Sequence, residues 1–153
     1  MFMTVVLDVE DPSVAAARRG DSLAWADLYE RYHPVIERYL EVVDPEALAD
    51  SDDIWVRAAH TLPAQPEGLE PLIWLLRTAR DGKIARPSPE DSDDLTIRVI
   101  RSLSPIEMDV IALRVIAGLA EEDVALVIGR PIERVRAAAH RGVGRLVERL
   151  GPS

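Results

Sequence analysis

The sequence contains no cysteine, which excludes disulfides and thiolate metal sites. Its three histidines, His33, His60 and His140, are too scattered to form a recognisable ligand motif, so no structural metal is expected. No apolar run reaches the length of a bilayer span. The N-terminal run MFMTVVLDVE lacks a basic flank and meets acid within eight residues, so a soluble cytoplasmic protein without a membrane partner is expected. A Gly-rich phosphate loop, a Ser, His and acid arrangement and a nucleophilic Cys are all missing. Gly142 and Gly144 lie in a helical pattern and not after a strand, so they form no dinucleotide fingerprint. Neither catalysis nor a cofactor is expected.

Phe occurs once, yet 48% of the 153 residues are hydrophobic, enough for one domain or two small ones. Basic residues are outnumbered, 18 against 27 acids, and the net charge of −9 argues against a nonspecific nucleic-acid coat. The imbalance is local. Residues 1–90 carry 17 acids and 9 bases, whereas residues 103–153 carry seven of each. Most of the negative potential therefore lies away from the C-terminal segment.

That segment, Leu119 to Leu150, reads as two helices joined by a tight turn. Leu119, Val124, Ala125 and Ile128 share one face of the first helix, and Gly129 stands where a left-handed residue ends it. Arg130 and Pro131 begin the second helix, where a proline lacks no needed N–H. At roughly 100° per residue, Val135, Ala139, Val143, Leu146 and Leu150 form a packing stripe, with Arg134, Arg141, Arg145 and Arg149 along its flank. A helix docked by aliphatic residues while presenting arginines outward suits the major groove of DNA. A solvated amphipathic helix is the alternative.

Upstream, Asp11-Pro12-Ser13 predicts a helix start and Gly20 its end. Asp21 or Ser22 caps a long amphipathic helix from Leu23 to about Val43, whose aromatic residues at helical spacing are expected in the core. Ser51-Asp52-Asp53 predicts the cap of IWVRAAHTL, and these acids need only a capping role. PAQPEGLEP predicts a loop. Pro71 then starts PLIWLLRTARDGKIAR, with an inner stripe at Leu72, Leu75, Leu76 and Ala79 and a basic cluster at Arg77, Arg80, Lys83 and Arg86. Trp74 beside these cations has two readings, a platform for an unpaired base or a half-buried side chain under a snorkelling Arg. Residues 87–91, PSPED, predict a linker. Two further helices follow, the second opened by the capping-box pattern Ser104-Pro105-Ile106-Glu107 and closed by Gly118. The expected fold is all-α: two small helical domains, residues 1–86 and 92–153, joined by a short linker, the C-terminal one a helix-turn-helix.

With these segments in order, the chain resembles an extracytoplasmic-function sigma factor, a small bacterial RNA polymerase subunit with two helical domains. The resemblance is carried by Leu103, Leu113-Arg114, Gly118-Leu119, Asp123-Val124-Ala125, Ile128-Gly129, Val135-Arg136, His140-Arg141 and Arg145-Leu146. In that family the C-terminal domain reads the −35 promoter element, which implies DNA-facing positions at Arg134, Arg136, Ala137, His140, Arg141 and Arg145. Ala138, Val143 and Gly144 depart from the basic or bulky residues usual there, so autonomous promoter recognition is expected to be weak. GDSLAWADLYERYHPVI is similar to the family's first helical segment. DDIWVRAAHTL is similar to its clamp-binding helix, which implies polymerase contacts at Asp53, Ile54, Trp55 and Arg57. WLLRTARDGKIAR is similar to its melting segment, which implies −10 contacts at Trp74, Arg77, Arg80, Lys83 and Arg86. Departures are a deletion of about one helical turn near Asp53, Asp81 where Asn is usual and Ala85 where Asp is usual.

The resemblance implies RNA polymerase core and promoter DNA as partners, with an anti-sigma factor or other regulatory protein as a further one. Promoter elements about 25 base pairs apart lie roughly 85 Å apart, whereas residues 87–91 span at most about 18 Å. The two halves are therefore expected to pack together in the free chain. The short linker, the deletion, the acidity and the thinned recognition helix favour the alternative, a degenerate relative that regulates by binding protein. A plain helix-turn-helix repressor would require a two-fold dimer.

Overall fold

Asp11 accepts a hydrogen bond from the Ser13 N–H at 2.8 Å and starts α1, Pro12–Arg18. Gly20 turns the chain at φ 85°, and Asp21 accepts from the Leu23 N–H to start α2, Ser22–Val43. The computed structural model describes residues 10–68, 70–80 and 87–151, and these form helices and turns without a β-strand. The fold is all-α.

Helix α2 runs through Pro34 and buries Leu28, Ile36, Tyr39, Leu40 and Val43. Leu23, expected on the same stripe, is 80% exposed. It precedes Leu28 by five residues and so points about 140° away round the helix. After α2 a 3-10 helix, Pro45–Asp50, leads straight into α3, Asp52–Thr61. Ser51 therefore caps nothing with its side chain. It is buried at helical φ −60° and ψ −28°, because the chain arrives already coiled, while Asp52 and Asp53 face the positive end of α3.

Helix α4, Pro71–Arg80, packs on α2, on α3 and on a later helix, α7, Glu121–Ile128. Covered on more than one side, it buries Ile73, Trp74, Leu75 and Leu76, a broader face than the predicted stripe, and leaves Leu72 and Ala79 half-buried. A 3-10 turn at Pro89–Asp91 precedes α5, Leu95–Arg101, capped by Asp94. Ser104 and Glu107 form the predicted capping box at the start of α6, Pro105–Ile111, which widens into a π-helical turn over Ala112–Ile116. Then come α7, Glu121–Ile128, a left-handed Gly129 at φ 67°, and α8, Ile132–Leu150.

The inner face of α8 differs from the sequence expectation. Val135, Ala138, Ala139 and Gly142 are buried, whereas Val143 is 47% exposed and Leu150 is exposed. Close approach to α6 explains the rotation. A Cβ at Gly142 would stand 2.6 Å from Ile111 Cγ1, so only small residues fit this crossing and the larger aliphatics turn outward. Gly142→Ala is accordingly expected to destabilise by about 1–3 kcal/mol despite a helix-propensity gain of about 1 kcal/mol. Gly144→Ala, which meets nothing within 4 Å, is expected to stabilise by about 0.5–1 kcal/mol. Urea unfolding of the two variants reads the opposite signs.

One apolar core runs through both halves of the chain, from Val14 and Leu28 to Leu113 and Val135. Arg101 of α5 is buried and fastens them. It donates to the carbonyls of Val42 at 3.0 Å, Glu41 at 2.6 Å and Ser88 at 3.4 Å, thereby capping the C-terminal end of α2. No helix among the described residues is long and apolar enough to cross a membrane.

Candidate nucleic-acid and protein interfaces

Gly129 holds α8 at an angle to α7, and all six positions implied for DNA contact, Arg134, Arg136, Ala137, His140, Arg141 and Arg145, are exposed. Their charges are differently committed. Arg141 donates to Glu107 Oε2 at 3.1 Å and Arg145 to Oε1 at 2.8 Å. Glu107 is buried, so this carboxylate anchors two arginines of the helix to α6. Burial pushes the Glu107 carboxyl up, but Arg141, the Ser104 backbone and Arg145 outweigh it, and the net displacement is downward. Arg136 Nε lies 3.5 Å from Glu121 across the turn. Among the described residues no carboxylate pairs with Arg134. Ala138 is fully buried and faces inward.

The basic cluster of the N-terminal half is less available than its sequence implies. Trp74 is 3% exposed, with its ring centroid 6.4 Å from that of Trp25 and its indole N–H unpartnered. Trp74 therefore sits deeper in the fold than a half-buried side chain under a snorkelling Arg. Arg80 donates to Asp109 Oδ2 at 2.5 Å and to the Val127 carbonyl at 3.2 Å. Asp109 is buried and also accepts the Tyr39 hydroxyl at 2.6 Å. Burial, reinforced by Asp109, holds the Tyr39 phenol well above its ordinary range. For Arg80, burial opposes the charge, but Asp109 and Tyr39 more than compensate and the guanidinium stays protonated. Arg77 is exposed at the edge of a cleft of about 370 Å³ that Trp74 and Arg80 also line. Lys83 and Arg86 lie outside the described residues.

Of the polymerase-facing positions, Asp53 is exposed and Arg57 is half-buried, paired with Asp53 at 3.4 Å and donating to the Thr78 carbonyl at 3.0 Å. Ile54 and Trp55 are buried. One side of Trp55 nevertheless lines an apolar groove of about 480 Å³ between α2 and α3, together with Trp25, Ala26, Tyr29, Val56, Ala59 and His60. Val56 is 55% exposed there. Helical spacing predicts Trp25 and Tyr29 in the core; in the fold they stand at its margin, because spacing shows which residues share a face and not whether another element covers it. A wider cleft of about 810 Å³, bordered by Ile111, Val115, Leu119, Arg136 and Val143, lies beside α8.

No protein-family model matches the sequence, and no curated protein is similar to it in sequence. A solved structure of the RsbN–BldN complex aligns with a TM-score of 0.40 and 24% identity, covering 88% of this chain and 97% of that one. CnrH, solved in complex with the cytosolic domain of CnrY, aligns with a TM-score of 0.77 and 22% identity, covering 90% of this chain and 94% of that one. The all-α arrangement of this chain is therefore the fold of CnrH, shared over most of both chains.

Proposed function

We propose that the chain is a sigma-like transcription regulator that binds RNA polymerase core through the surface around α3 and promoter DNA through the N-terminal half of α8. The carrying observation is the helix-turn-helix itself: a left-handed Gly129 followed by a helix that leaves Arg134, Arg136, Ala137 and His140 exposed on one side. The fold likeness to CnrH and the ordered sequence resemblance to extracytoplasmic-function sigma factors support it. Because the groove between α2 and α3 exposes an apolar, aromatic lining with Val56 55% and Tyr29 38% exposed, we assign it to protein docking. Transcription by core polymerase reconstituted with this chain, scored against a genomic promoter pool, tests the proposal. A pull-down that captures no core polymerase with or without promoter DNA would sink it.

The commitments of the α8 arginines refine the DNA face. Arg134→Ala is expected to flatten the log–log salt dependence of DNA binding by about one unit, and Arg136→Ala by somewhat less, since Glu121 lies 3.5 Å from its guanidinium. Arg141→Ala and Arg145→Ala are each expected to flatten it by less, since the two guanidiniums share the single Glu107 carboxylate, which offsets half of their combined charge. Equal slopes for all four variants would overturn the assignment.

A second reading, a protein-binding regulator without autonomous promoter recognition, is favoured by the buried Trp74 and the Arg80–Asp109 pair, which withdraw two of the −10 contacts. On this reading the partner is an anti-sigma factor or other regulatory protein. The absence of any transcript with core polymerase, combined with a stoichiometric complex with a purified protein partner, would select it.

A further inference from the structure

Trp55 forms part of the groove wall, and its indole N–H makes one hydrogen bond, donated to Nδ1 of His33 at 2.9 Å. An indole N–H only donates, so Nδ1 carries a lone pair and the neutral ring keeps its proton on Nε2. Nε2 faces Glu37 of α2 at 3.5 Å and Asp52 of α3 at 3.8 Å. Tyr29 of α2 stacks on the imidazole with centroids 4.3 Å apart and donates its hydroxyl to Asp52 at 3.0 Å. Glu37, Tyr29 and Asp52 are thus the titratable groups that face the ring from the two helices, and His33 itself is only 7% exposed. Burial and Asp52 push the Tyr29 phenol up, so Tyr29 stays a neutral hydroxyl donor to Asp52 beside the ring.

The two ring nitrogens make opposite demands. Glu37 and Asp52 favour the imidazolium, but a proton on Nδ1 would point straight at the Trp55 N–H and set two donors face to face. An indole N–H left buried without an acceptor is unfavourable, so one of the two rings has to turn. Trp55 is the ring whose turning alters the groove. Its centroid lies 5.3 Å from that of Tyr29, which lines the same groove.

We propose that His33 is a proton-controlled strut beneath the aromatic groove: neutral, it holds Trp55 in the wall; protonated, it releases the indole and reshapes the groove. Only the consequence, pH-dependent docking, rests on the assignment of the groove to a protein partner. Release of Trp55 is a property of the folded chain alone.

The test follows the Trp55 indole N–H and the histidine ring protons of the full chain by NMR from pH 8 to pH 5, with far-UV circular dichroism confirming the fold. The indole resonance is expected to move in step with His33 titration. His33→Gln, whose amide oxygen can accept from Trp55, is expected to keep the neutral-pH resonance and abolish the titration, while His60→Gln, on the same groove, leaves it intact. An indole resonance that stays flat while His33 titrates, or that titrates unchanged in His33→Gln, overturns the strut. Should His33→Gln fail to fold, Trp55→Phe decides: with the N–H that holds Nδ1 as an acceptor removed, the histidine ring signals are expected to respond at a higher pH than in the unmodified chain, and no movement overturns the inference. Purified core polymerase is expected to bind several-fold more weakly at pH 5.5 than at pH 7.5, with the difference lost in His33→Gln. Absence of binding at either pH would count against the docking assignment, and the indole titration would still decide the strut.

Discussion

Replacing Asp109 by Ala is expected to destabilise the folded chain by about 3–5 kcal/mol, because it leaves a charge and a hydroxyl buried without their acceptor. Asp109 sits on α6 in the C-terminal half, while both of its partners, Tyr39 and Arg80, come from the N-terminal half. Tyr39 is fully buried, and the Arg80 side chain is only 17% exposed, so water cannot readily replace the lost carboxylate. Asp109→Asn, which keeps an acceptor for Tyr39 but removes the charge, is expected to lose less. Replacing the whole cluster by apolar residues of similar volume, as Tyr39→Phe, Arg80→Met and Asp109→Leu together, is expected to come out near neutral, since desolvation of the pair offsets much of its attraction. Urea denaturation reads all three, and a loss below 1 kcal/mol for Asp109→Ala would show that the two halves are joined by their apolar surfaces alone. The shared core also predicts one cooperative transition for the whole chain.

Glu107→Gln is the second large effect, roughly 2 kcal/mol at neutral pH, since charge-assisted hydrogen bonds contribute about 1.5–3 kcal/mol and the half-exposed arginines recover part of that from water. The pH dependence has a definite sign. A carboxyl held below its ordinary value in the folded chain contributes stability that is complete above the unfolded value, about 4.5, and is lost as pH falls through the lowered folded value. Stability of the unmodified chain should therefore drop more steeply below about pH 4.5 than that of Glu107→Gln, as measured by urea midpoints across the acid range. The same variant releases Arg141 and Arg145. If α8 binds DNA as proposed, the salt slope should steepen by about one unit, the single charge removed, even as the fold weakens. A stability difference that is constant with pH would show that the Glu107 carboxylate is not the group responsible.

Much of the fold was legible along the chain. The starts at Asp11, Asp21 and Ser104, the close at Gly118 and the left-handed Gly129 depend on contacts within about four residues, and the helix order followed from them. The Ser51 cap was misplaced because a 3-10 helix that leaves no strong pattern delivers the chain already coiled. On α8 hydrophobic spacing follows the large side chains, whereas the fold buries Ala138, Ala139 and Gly142, the last where a Cβ would meet Ile111 of α6. An absent Cβ registers in no hydrophobic period.

The candidate surfaces divide along the same line. The sequence by itself determined an all-α chain ending in a helix-turn-helix whose second helix carries arginines, because capping, glycine turns and amphipathic spacing are local properties. Tertiary structure alone decided which cations are free, which tryptophan lines a groove and which is buried, and where His33 stands. Those outcomes depend on partners far apart in the chain: Asp109 lies 29 residues from Arg80 and 70 from Tyr39, and Glu107 lies 34 from Arg141. A side chain's charge is written in its residue type, but whether that charge faces solvent or a buried carboxylate is set only when the helices pack.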